Sequence, residues 1–162
     1  MILQDILISS SFDNVGTLFG SSSSIMVSNI TCQGTIVGNS NTQNYGGLVG
    51  SSTQSVFENC HVKTKIIASS SKNLGGLTGS GVSTNFTNCY NLGVNNDPNE
   101  IIISGSEAIG GISGSAVTCV FKNSGVHYGI IQGTTQNAGG IAGYSEGFFH
   151  FLFLLLIFLK LK

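Results

Sequence analysis

Apolar residues recur along this chain in short runs, each closed by a Ser-, Asn- or Gly-rich turn, up to about Gly147. Ile6-Leu7-Ile8, Ile36-Val37, Ile66-Ile67, Ile101-Ile102-Ile103 and Ile130-Ile131 are examples. None shows the 3.6-residue period of an amphipathic helix, so each run predicts a short strand.

The spacing of these runs is regular. A glycine motif, G-[G/T]-[L/I]-x-G, occupies 16–20, 46–50, 75–79, 110–114 and 139–143, with starts 30, 29, 35 and 29 residues apart. An asparagine stands nine residues beyond the last glycine of the first four copies, at Asn29, Asn59, Asn88 and Asn123. In three of them a phenylalanine precedes it by two: Phe57, Phe86 and Phe121. The long interval carries Asn95-Asn96-Asp97-Pro98-Asn99-Glu100, turn residues with the chain's single proline, which predict an inserted loop at one corner.

A unit of about 30 residues cannot bury its own apolar face, whereas stacked copies can, each strand pairing with its equivalent about 4.8 Å away. The expected fold is therefore all-β: a parallel β-solenoid, a three-sided β-helix of four to five coils over residues 1–147. The right-handed preference of parallel crossovers sets its expected hand. Leu48, Leu77, Ile112 and Ile141 are expected to form one inward ladder, and Phe57, Phe86 and Phe121 a second. Strand alternation puts Asn29, Asn59, Asn88 and Asn123 on the same inward face, where stacked amides satisfy buried backbone groups.

Composition agrees with an elongated β-structure. Only 8% of residues are charged, 41% are hydrophobic, 23 are glycine and the net charge is −1, which excludes a charge-driven disordered chain. With six lysines, no arginine and no basic run, the chain lacks the footprint of a nucleic-acid binder.

Asn44-Tyr45-Gly46-Gly47-Leu48-Val49-Gly50-Ser51 followed by Phe57-Glu58-Asn59-Cys60, and Leu74-Gly75-Gly76-Leu77-Thr78-Gly79 followed by Phe86-Thr87-Asn88-Cys89-Tyr90, resemble the GLUG motif. That motif occurs in repeat regions of large secreted or surface-attached proteins, including bacterial adhesins and some immunoglobulin-cleaving metallopeptidases. The resemblance covers roughly residues 6 to 147 and departs from the pattern at Thr17, in place of the second glycine, and Ser124, in place of the cysteine. It implies a secreted or cell-surface module with cell-surface glycans or proteins as partners, and no catalytic residues.

The candidate chemistry is sparse. Cys32, Cys60, Cys89 and Cys119 are spaced 28, 29 and 30 apart, the repeat length and no metal-ligand hairpin, so neither a metal nor a cofactor is expected. Cys60 and Cys89 share a repeat position and are expected to stack, as buried thiols or as a disulfide in an oxidising compartment. Cys32 and Cys119 fall outside that register and are expected to be isolated. The seven acidic residues look unrelated in repeat position apart from Asp97 and Glu100, and the tyrosines Tyr45, Tyr90, Tyr128 and Tyr144 share no register. G-x-S-x-G, H-E-x-x-H and G-x4-G-K-[S/T] are all missing, so no catalytic residue is assigned. Of two sequons, Asn85-Phe86-Thr87 is expected to face solvent and Asn29-Ile30-Thr31 the interior, leaving Asn85 as the glycosylation candidate.

Residues 148–162 break the pattern: Phe149 to Leu159 are apolar except for His150, and Lys160-Leu161-Lys162 follow. A short apolar helix is expected here, and three readings stay open. One is membrane contact as a C-terminal anchor, marginal because a span needs about 20 residues. The others are the product of a truncated or misread gene, and a buried cap. Met1-Ile2-Leu3-Gln4-Asp5 has none of the features of a secretory signal, which leaves a cytosolic chain or a piece of a larger repeat protein. The leading expectation for function is a non-catalytic structural or adhesive surface module. The alternatives are a carbohydrate-binding or carbohydrate-active β-helix, and a degenerate gene fragment.

Overall fold

The computed structural model describes residues 1–39, 41–95 and 97–147 fully, and 150–152 and 160–161 by their backbone. The chain winds as a parallel β-solenoid of five coils with three sheets. The first sheet stacks Ile2–Ser10, Thr31–Gly38, His61–Gly75, Ile101–Gly110 and Ile130–Gly139. The second stacks Phe19–Ser23, Val49–Thr53, Thr78–Val82, Ser113–Val117 and Ala142–Glu146; the third stacks Met26–Ser28, Val56–Glu58, Asn85–Thr87, Val120–Lys122 and His150–Leu152.

Register follows the sequence repeat. Gly46, Gly75, Gly110 and Gly139 pair rung to rung, as do Ile36, Ile66, Ile103 and Ile131. Leu48, Leu77 and Ile112 are fully buried on one ladder and Ile141 continues it half-buried at the end of the stack. Phe57, Phe86 and Phe121 are fully buried and stack with ring centroids 5.3 Å apart. Each buried ring or aliphatic chain contributes about 1.5–3 kcal/mol by leaving water. Tyr45 is also fully buried, its hydroxyl bonded to Thr42 Oγ1 at 2.7 Å and donating to the carbonyls of Phe12 and Ser10.

The glycine motif serves close backbone approach. A Cβ on Gly76 would lie against the carbonyl oxygen of Gly111 one coil on, and one on Gly47 against that of Gly76. Thr17 is tolerated in the first coil, where its hydroxyl bonds the Gly47 carbonyl at 2.6 Å.

The inserted loop lies where expected. In the third coil His61–Gly75 runs as one strand; in the fourth the same path is split into Tyr90–Asn91 and Ile101–Gly110, with the insertion between. Asp97 Oδ1 caps the turn by accepting from Asn99 N at 2.8 Å, and Glu100 is tied to Lys65 at 3.1 Å.

In the third sheet Phe151 pairs in register with Phe121. The helix expected over the tail falls largely at 148–149 and 153–159, outside the described residues. The described parts of that segment, His150–Leu152 and Lys160–Leu161, are strands.

Candidate functional site

The corners determine what the solenoid shows to solvent. Each is made by one residue in the left-handed region, and these residues form three rows along the axis. Asn14, Asn44, Asn73, Ala108 and Asn137 make the first row; Ser24, Gln54, Ser83, Thr118 and Gly147 the second; Asn29, Asn59, Asn88 and Asn123 the third. Asparagine adopts positive φ at lower cost than most residues, because its short amide bonds locally.

This overturns the inward placement of the third row. Asn29, Asn59 and Asn123 are exposed and Asn88 half-exposed, with φ between 46° and 57°. A left-handed residue breaks strand alternation, so the next residue turns inward instead: Ile30, Cys60, Cys89 and Ser124 are all buried. The amides do stack, outside the core, with Asn88 Nδ2 donating to Asn59 Oδ1 at 3.1 Å. Asn29 therefore faces solvent like Asn85, so the acceptor asparagine of each sequon is exposed.

Cys60 and Cys89 sit one above the other inside the third corner. Cys60 Sγ donates to the Glu58 carbonyl, and Cys89 Sγ to those of Thr87 and Phe57, each at 3.3 Å. Ser124 reproduces the contact one coil on, donating to the carbonyls of Lys122 at 3.0 Å and Phe86 at 3.2 Å, which is why serine can replace cysteine there. All four cysteines are free and buried. The neighbouring Cys60 thiol, together with burial, holds the Cys89 proton well above the ordinary thiol range. Burial likewise raises Cys32 and Cys119.

The first corner carries a groove. Asn44 Nδ2 donates to Asn14 Oδ1 at 2.8 Å and Asn73 Nδ2 to Asn44 Oδ1 at 2.9 Å, forming a rigid amide spine. Immediately before each of these residues stands an outward side chain: Asp13, Gln43, Lys72, Glu107 or Gln136. Lys72 pairs in register with Gln43 and Glu107, and Glu107 with Gln136. Asp13 joins through its carboxylate, which accepts from Gln43 N at 2.9 Å and Gln43 Nε2 at 3.4 Å. A hollow of about 430 Å³ beside Asp13, Gln43, Lys72 and Ser106 shares Gln43 and Lys72 as walls with a neighbouring one of about 290 Å³ that reaches Glu107 and Tyr144.

Asp13 and Glu107 thus share a repeat position, contrary to the expectation of unrelated acidic residues. The signal was present in the sequence three residues before each motif glycine, but the residue type changes at every coil. Three rungs separate the two carboxylates, about 14 Å at the rung spacing.

A second surface cluster lies at the start of the long strand. His61 stacks on Tyr90 at 5.7 Å, and His127 meets Tyr90 edge-on at 5.1 Å because Gly125, in register with Tyr90, leaves room. Burial and the neighbouring His127 lower the His61 pKa. Among the described residues no group of three or more His, Cys, Asp or Glu is placed to hold a metal ion, and no helix is long and apolar enough to cross a membrane.

The architecture defines the class, a three-sheet parallel β-solenoid with laddered polar corners. Comparison with known protein families, with curated proteins and with solved structures finds no match to this chain.

Proposed function

We propose that the chain is a non-catalytic adhesive and spacing module, part of a larger surface or secreted protein of the GLUG-repeat kind. The observation that carries this reading is the outer surface itself: rows of Asn, Gln, Ser and Thr repeated at each coil on a rigid core. Such a surface offers the same hydrogen-bonding group many times in line, which suits weak contacts that add up along an extended partner. Glycosidic hydrolysis needs two carboxyl groups about 5–9.5 Å apart. Asp13 and Glu107 exceed that separation, which disfavours the carbohydrate-active alternative. The motif resemblance at residues 44–60 and 74–90 supports secretion or surface display.

The test is adhesion. Microspheres coated with the full chain are expected to bind glycan- or protein-coated surfaces more than albumin-coated microspheres do, without releasing reducing sugar. Adhesion equal to the albumin control, or measurable turnover of a polysaccharide, would sink the reading.

A further inference from the structure

The outward row Asp13, Gln43, Lys72, Glu107 and Gln136 runs parallel to the solenoid axis with one side chain per coil. Its four rungs span about 19 Å. We propose that this groove binds a neutral, extended β-linked hexose oligosaccharide lying along the axis with one ring per coil. The proposal rests on the adhesive reading above and names its ligand class and site.

Three observations support it. The first is period: an extended β-1,4-linked chain advances per ring by nearly the rung rise, so one ring lies beside each coil, and because successive rings are turned over, equivalent hydroxyls return to the row at every second coil. The second is chemistry, since the row supplies amide, carboxylate and ammonium groups suited to pairs of ring hydroxyls, and the hollows are bordered mainly by polar residues with no deep apolar pocket to take a peptide side chain.

The third is unused bonding capacity. Lys72 and Glu107 sit on paired rungs, yet the ion pair found among the described residues is Lys65 with Glu100. Lys72 is exposed and Glu107 half-exposed, so both retain capacity for a ligand. Alternating charge along the row also selects against a polyanion, which would meet Asp13 and Glu107 on either side of Lys72. Ser70 and Ser106 wall the groove where the register slips between Gly105 and Glu107, which brings extra residues of the long strand to the surface.

The experiment is calorimetric titration of the full chain with neutral β-linked glucose oligomers from disaccharide to hexasaccharide. Affinity is expected to rise with length and level off at four to five rings. Lys72→Ala and Glu107→Gln should each weaken binding about tenfold, as loss of a hydrogen bond to a charged group does. Lys63→Ala, on the same strand but remote from the groove, should leave it unchanged. Absence of binding, affinity independent of length, equal effects of Lys72→Ala and Lys63→Ala, or preference for a polyanionic glycan or a peptide would each overturn the assignment. If microspheres still adhere in that case, the adhesive reading stands and only the groove assignment falls; if adhesion is also absent, both fall.

Discussion

Replacing Phe86 by alanine tests whether the aromatic ladder holds the coils together. Phe86 is fully buried and lies between Phe57 and Phe121, at 5.3 Å from each with interplanar angles of 10° and 6°. Truncating a buried phenylalanine costs about 3–5 kcal/mol, the higher values belonging to sites that cannot collapse. Here the backbone is held by parallel pairing on both sides, in register with Phe57 and Phe121, so the cavity stays open and about 4–5 kcal/mol is expected. Phe57→Ala should cost about 1 kcal/mol less, because Phe57 has one ring neighbour and Val27 on its other side, and a ring pair is worth about 0.5–1.5 kcal/mol.

The assay is urea unfolding followed by far-UV circular dichroism. With a urea slope of about 2 kcal/mol per molar, the Phe86→Ala midpoint should fall by roughly 2 M. Such a loss approaches the whole stability of many domains, so Phe86→Leu provides a milder companion expected to recover more than half of it. A cost below about 2 kcal/mol, or one equal to that of Val56→Ala on the outward face of the same sheet, would refute rigid stacking as the source of stability.

Gly76→Ala would place a methyl group against the Gly111 carbonyl and the Asn91 amide that bonds it, so about 3 kcal/mol should be lost in the same assay; an unchanged midpoint would show that the coils can part locally. His61 is held below its ordinary value of 6.5 by burial and by His127, so on acidification the unfolded chain binds the proton first. The stability this costs is intact above the unfolded value and declines as pH falls through about 6.5 toward the folded one, with no further loss below it. Urea midpoints measured between neutral and mildly acidic pH should therefore drop less in His61→Gln than in the parent, and parallel curves would refute this role for His61.

The sequence by itself determined the coil length, the inward Leu/Ile and Phe ladders, the stacking of Cys60 over Cys89 and the inserted loop at 95–100. These were legible because a stacked core demands the same kind of side chain at the same place in every coil. Outward positions carry no such demand, so the row from Asp13 to Gln136 changes residue at each coil and passed as unrelated charges.

Only the tertiary structure decided the faces of the corner residues. Asn59 and its equivalents sit at positive φ, which rotates the chain by one face and sends the asparagine outward and Cys60 inward. The same cause moved Asn29 to the surface. Strand alternation holds within a strand and fails at the residue that ends it, where the choice among backbone basins depends on how the next sheet must lie against the core.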